Sequence, residues 1–431
     1  MTKKLEQWQD LDRKHYLHPF TDYNQLSKQD SRVFTKGEGI YIWDAEGHQV
    51  LDAMSGLWCV NLGYGRTELI EAAHQQMQEL PYYNSFFQCA HPPAIELGEI
   101  LSEIAPDGFS RVFYTGSGSE ANDTVVRLVR RFWQLQDKPD KQIIIARKNA
   151  YHGSTIAAAS LGGMEGMHAQ GAGIPIPNII HIAQPYWFQE GRDQDPNTFG
   201  LAIAEELEKA IDHHGIDKIA AFIAEPIQGA GGVIIPPETY WPAIQRICDD
   251  NEILLVADEV ITGFGRLGEW FGSTTYEIKP DLIAFAKGVT SGYLPLGGVL
   301  VNDKVADILI EKGGEFIHGF TYSGHPVSCA VAIANIKALA EDNVIETVKD
   351  HTAPYLAKRW QSLSDHPIVG EARIKGLVAA LELCKDKKTG KRFAAEHNVG
   401  SLCRDLAIEN GLVMRAVGDT MIIAPPLIIT H

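Results

Sequence analysis

Three apolar runs in the middle of the chain each end on a residue that can do chemistry: Ile219 to Glu225, Ile253 to Asp258 and Leu282 to Lys287. Ligands of open α/β sheets sit at the carboxyl ends of the strands, so two carboxylates and an amine are aimed at one crevice. Lys287 enters an apolar site, with Gly288 leaving it room. Desolvation there favours the neutral amine, a nucleophile suited to Schiff-base formation; the competing reading is a surface lysine with its stem buried. Asp258 closes a strand too apolar to expose a carboxylate idly, so it needs a cationic or hydrogen-bonding partner, such as a protonated pyridine nitrogen or a structural ion pair. A third segment, Tyr114-Thr-Gly-Ser-Gly-Ser-Glu-Ala-Asn122, joins a strand to a helix with two glycines and two serines. Its amides and hydroxyls can cradle a phosphate at the helix amino end, or it is a plain connection with Ser119 as the helix cap. Together, phosphate cradle, carboxylate and lysine are the three anchors that pyridoxal phosphate requires.

The elements that must position these groups follow from periodicity. A β-rich opening, Gly39 to Asp44 and Val50 to Ala53, flanks a turn at Glu46-Gly47. Helical spacing runs over Glu68 to Leu80 and Ala94 to Ala105. From Arg111, strands and helices alternate: Arg111 to Thr115, helix Glu120 to Leu135, strand Gln142 to Ala146, helix Gly200 to His213, then the three runs. This predicts βαβ units and a mainly parallel sheet covered by helices on both faces. An Ala-rich helix after Pro326, a further helical stretch over Glu341 to Leu363, and strands at Gly376 to Leu383 and Leu412 to Ile423 read as a smaller α+β domain. The expected division is 1–62 as the opening part of the small domain, 63–328 as the large domain and 329–431 as the rest of the small one.

Composition narrows the partners. The 431 residues are 45% hydrophobic and 22% charged, and 55 Asp and Glu against 38 Lys and Arg give a net charge of −17. That field repels nucleic acid and tolerates a cationic small substrate. Six scattered cysteines without metal-type spacing suit a reducing compartment and no metal, and no run reaches membrane-spanning length; a cytoplasmic location is expected. Gly263-Phe-Gly-Arg-Leu-Gly268 matches a dinucleotide-binding pattern, but Asp281 precedes its strand instead of ending it, and little space is left for a crossover helix.

Asp258-Glu-Val-Ile-Thr-Gly-Phe-Gly-Arg266 and Ala286-Lys-Gly-Val-Thr-Ser-Gly-Tyr-Leu-Pro-Leu-Gly-Gly298 resemble the class III pyridoxal-phosphate aminotransferase signature, with similarity from about Phe20 to Pro426. Leu57-Trp-Cys-Val-Asn61, Phe86-Phe87, Ala183-Gln-Pro-Tyr-Trp187, His318-Gly-Phe-Thr-Tyr-Ser-Gly-His-Pro326 and Met414-Arg-Ala-Val-Gly-Asp419 are similar to the ω-transaminases, and within them to diamine and polyamine enzymes that use pyruvate. The resemblance implies fold type I and the cofactor pyridoxal 5'-phosphate. Lys287 would bond its aldehyde and carry the proton transfer, while Asp258 would hold its ring nitrogen protonated. Ser117, Gly118 and Ser119 would bind phosphate with Thr321 of a neighbouring subunit, making a homodimer or a dimer of dimers. Tyr151 and Val260 would sandwich the ring, Gln228 would reach its hydroxyl, and His152 and Glu225 would complete the cofactor pocket. Trp58, Phe86, Phe87 and Tyr151 would line the substrate pocket, and Arg415 would grip a keto-acid carboxylate. The implied reaction runs from putrescine or a related amine to pyruvate. The alternatives are β-alanine, taurine or aromatic amines as donors, or a non-catalytic amine binder. Similar chains usually continue past Pro425-Pro426 into a terminal helix, whereas this one stops at His431.

Overall fold

A computed structural model describes residues 2–171 and 173–431. Its centre is a seven-stranded sheet in the order Phe109–Thr115, Gly297–Asn302, Leu282–Phe285, Leu254–Asp258, Ile219–Ala224, Ile143–Arg147, Ile179–Ile182. Gly297–Asn302 is antiparallel to both neighbours and the remaining pairs are parallel, so the mainly parallel expectation holds with one inserted strand that the sequence does not announce. The three chemistry-bearing strands are adjacent in the sheet, with Ile223 opposite Val256 and Asp258 opposite Ala284.

Both sheet faces are buried, which is why the central strands read as continuous apolar runs. Ile144, Ile223, Val256 and Ala284 pack beneath the 17-residue helix Gly118–Gln134, through Val125, Leu128 and Phe132. Ile145, Phe222 and Leu255 face the helices Pro196–His214 and Tyr240–Asp250, through Leu207, Trp241 and Ile244. A third cluster sets Phe285 and Leu300 against the helix Pro326–Glu341.

The opening and closing segments share a sheet: Phe34–Glu38, Tyr41–Asp44 and Gln49–Asp52 run antiparallel, and Leu412–Val413 pairs in parallel with Gln49–Asp52. The turn between the latter two of those opening strands is held by Asp44, whose Oδ1 accepts from the amides of Glu46 and His48. A separate sheet contains Val369–Lys375, Val378–Leu383, Thr420–Ile423 and Arg415–Val417. Three further elements differ from the sequence reading: helices at Thr2–His15 and Tyr23–Gln29 occupy a polar stretch, and Val369–Lys375 is a strand of its own. After Leu254–Asp258 the chain makes turns before the four-residue helix Gly272–Thr275, so no dinucleotide-binding helix follows Gly263. Among the described residues, no helix is long and apolar enough to cross a membrane.

Candidate active site

At the carboxyl ends of the three strands lies a cavity of about 390 Å³, lined among others by Ser117, Ser119, Tyr151, His152, Glu225, Asp258, Val260 and Lys287. On one side it meets the amino end of the helix Gly118–Gln134. The helix cap is Ser117, not Ser119: Ser117 Oγ accepts the amide of Glu120 at 3.2 Å, and Glu120 Oε2 accepts the amide of Gly116 at 2.6 Å. Ser119 is thereby free to accept the amide of Ser154 at 3.0 Å, which ties the Tyr151 loop to the cradle. Gly118 lies so close to Val260 that a Cβ would sit 2.9 Å from the valine Cγ2. The phosphate cradle and the hydrophobic wall of the cavity are thus in van der Waals contact.

Asp258 is nearly fully buried and accepts three hydrogen bonds: from the Val260 amide at 3.1 Å, Asn122 Nδ2 at 2.8 Å and His152 Nδ1 at 2.7 Å. A carboxylate offers about four acceptor positions, so it can take one further donor from the cavity. Glu225 is buried one residue past its strand; Oε1 accepts the Tyr151 amide at 3.1 Å and Oε2 the Gly229 amide at 2.9 Å. Burial pushes its carboxyl above the usual range, the His152 ring opposes this, and the Asp258 charge adds to it.

Lys287 opens a short 3₁₀ turn, Lys287–Thr290, with its backbone at φ 49°. Left-handed geometry at a side-chain-bearing residue costs energy and marks a functional position when its surroundings enforce it. Burial drives the Lys287 amine below its ordinary pKa, while Asp258 pulls the other way. The neutral form needed for nucleophilic attack is favoured by the same enclosure that excludes water.

Other expected residues lie elsewhere. Gln228 is buried, its Nε2 donating to the Lys148 carbonyl at 3.0 Å and its Oε1 without a partner among the described residues. Trp58, 2% exposed, packs with Met54, Ile227 and Ile261, the last of which lines the cavity, as does its neighbour Cys59; its own backbone takes φ 65°. Phe86 lies against Gly319, whereas Phe87 is 89% exposed, and both border a separate groove with His318. Thr321 is exposed, its carbonyl accepting from Tyr82 Oη at 2.7 Å. None of these three lines the cavity of its own chain. Arg415 is half-buried on Arg415–Val417, close enough to Tyr151 and Lys287 for their charges to interact. The sequence reading assigned no role to Cys59, which lines the cavity, or to Asn122. It also passed over Phe20, whose ring meets Tyr151 edge-on at 6.3 Å.

Residues 23–431 match the aminotransferase class-III family. The chain belongs to that family. A putrescine–pyruvate aminotransferase of Pseudomonas aeruginosa is 61% identical over 99% of this chain and 93% of its own length. Among solved structures, a thermostable (S)-enantioselective omega-transaminase from Thermomicrobium roseum superposes with a TM-score of 0.95 at 42% identity, covering 99% of this chain and 94% of the other. An omega transaminase from Pseudomonas jessenii in complex with PMP gives 0.96 at 41%, with 98% and 94% covered.

As a class III aminotransferase the protein uses pyridoxal 5'-phosphate and moves an amino group from an amine to a keto acid. The residues present fit that group. Ser117, Gly118 and Ser119 would hold its phosphate at the helix end, and Asp258, backed by His152, would meet a positively charged ring nitrogen. His152 Nε2 is itself buried with no partner among the described residues. When bound, the cofactor supplies an electron sink for negative charge developing next to the transferred nitrogen. The protein's part would be to fix orientation, to set the Asp258 carboxylate against the ring, to exclude bulk water and to place the Lys287 amine where it could take and return a proton.

Proposed function

We propose that this enzyme takes nitrogen from a primary ω-amine or diamine, with putrescine as the leading substrate and cadaverine or other polyamines behind it, and passes it to pyruvate. The products are an aminoaldehyde and L-alanine, formed in two alternating half-reactions. The observation that carries the donor and acceptor is the 61% identity, spanning 99% of the chain, to the putrescine–pyruvate aminotransferase. The site is consistent with this. Tyr151 and Phe20 offer aromatic surface to methylenes and to a distal ammonium, and the strongly acidic chain favours approach of a dication. Arg415 supplies a guanidinium suited to gripping a keto-acid carboxylate bidentately and withdrawing for an amine that carries none.

The proposal includes a homodimer. Phe87 (89% exposed), Ile317 (77%) and Tyr322 are large apolar side chains left uncovered, and in a second copy covering such surface Thr321 would complete its partner's phosphate cradle. All six cysteines are free, in keeping with a cytoplasmic enzyme.

The test is an absorbance spectrum of the purified, cofactor-loaded protein mixed with putrescine and then with pyruvate. Bleaching of the yellow band by putrescine and its return with pyruvate is the expected result. A band indifferent to putrescine but bleached by β-alanine, taurine or an aromatic amine would keep the chemistry and replace the substrate.

A further inference from the structure

The left-handed turn at Lys287 needs something to hold it, and the helix Pro326–Glu341 supplies a side chain with no other evident purpose. Asn335 is fully buried among Val331, Ala332, Ile336 and Leu339. A polar amide in such surroundings is costly unless hydrogen-bonded. Its Nδ2 spends both hydrogens on the carbonyls immediately after the lysine, Gly288 O at 2.9 Å and Val289 O at 3.0 Å, while its Oδ1 is buried with no partner among the described residues. A residue selected for packing alone would be a leucine there. From the opposite side Asn61 presses on Gly288: a Cβ on that glycine would lie 2.6 Å from Asn61 Nδ2. Asn61 is fixed in turn, donating to the Phe264 carbonyl at 2.8 Å and accepting from Arg266 Nη2 at 2.8 Å. The two peptides following Lys287 are therefore gripped between a helix and a pinned side chain.

We infer that Asn335 is a positioning residue for the reaction, holding the Gly288 and Val289 peptides so that Lys287 keeps its left-handed backbone and its amine stays aimed into the cavity. Asn335 touches neither the cavity nor any reacting atom and acts only through Lys287. The inference rests on the reading of Lys287 as the catalytic amine. Its plain alternative is that Asn335 merely satisfies two buried carbonyls and contributes to folding. The alternatives separate because an amine let out of alignment slows every step that uses Lys287 and leaves substrate binding alone, whereas lost folding energy lowers the unfolding temperature without touching turnover of the molecules that remain folded.

The experiment compares wild type with Asn335→Leu, which keeps the branched shape and removes the donors. It reads kcat and KM for both substrates, and the rate at which cofactor-stripped full-length protein develops the yellow band with added pyridoxal phosphate. The expected result is a loss of about tenfold in kcat and in the capture rate, with each KM within about twofold, as two buried hydrogen bonds partly lost in the working geometry would give. Wild-type kcat and capture rate in a folded Asn335→Leu protein, whatever its melting temperature, would overturn the inference. If that variant does not fold, Asn335→Ser replaces it. Its hydroxyl is too short to reach both carbonyls, and the same split is expected at about threefold, with an unchanged kcat again decisive against it. Lys287→Ala run alongside separates the two claims. Turnover persisting in Lys287→Ala removes the catalytic reading itself, while its loss together with an unaffected Asn335 variant removes only the positioning role.

Discussion

Asp258 shows how a single side chain is prepared for its work. Held by Asn122, His152 and the Val260 amide, it cannot rotate away from the cavity. What it would contribute there is a carboxylate held in one place, and such a group acts more strongly in an enclosed site than in water. Asp258→Asn keeps the shape and removes the charge, and kcat/KM is expected to fall about a hundredfold or more; steady-state kinetics giving a wild-type value would remove Asp258 from the electrostatic role. The charged strand ends were legible in the sequence because packing alone does not account for a uniformly apolar run that stops on Glu, Asp or Lys. Asn122 was not: it sits one helical turn into Gly118–Gln134, and nothing in its spacing tells that its amide bridges Asp258 and the His152 carbonyl. Phe20 was equally silent, since a lone aromatic in a polar stretch acquires meaning only when the fold brings it to Tyr151.

The elements carry the site through close backbone approach. Where Gly118 meets Val260, the helix end and the loop after Leu254–Asp258 are so near that one methyl group is too many. Gly118→Ala is expected to push Val260 into the cavity and weaken cofactor retention about tenfold, measured by spectroscopic titration of the stripped protein; unchanged affinity would show that the loop yields freely. In the sheet core, the parallel strands and their covering helices were readable from period and length. The antiparallel Gly297–Asn302 was not, because it begins with two glycines and continues with a short apolar run that fits several elements equally well. Nor was the packing of Trp58, since an aromatic beside two chain turns can face several ways, and here it meets Ile261 of the cavity wall together with Met54 and Ile227.

At the scale of the whole molecule, stability should depend on acidity through His318. Its ring stacks on Phe113 with centroids 5.4 Å apart, faces Thr124 Oγ1 through Nε2 at 2.9 Å and lies 3.0 Å from Arg127 Nη1 through Nδ1. Burial, aided by the Arg127 charge, lowers its pKa from 6.5 to about 4. The unfolded chain therefore binds this proton at a higher pH than the folded one. Stability contributed by keeping the ring neutral is intact above about 6.5, declines as the pH falls toward about 4 and changes no further below that. His318→Gln is expected to flatten that limb of a plot of denaturant midpoint against pH, and an undiminished slope would assign it to other groups. A different consequence follows from where the parts of the cavity come from. The reactive anchors stand on adjacent strand ends and a helix terminus, whereas Phe20, Tyr151 and Arg415 arrive from the opening segment, a loop and the distal sheet. On the proposed function, the groups that would hold the cofactor and those that would choose the substrate therefore come from separate parts of the chain. Substitutions confined to the latter would then change the amine accepted while the chemistry of the former stays constant.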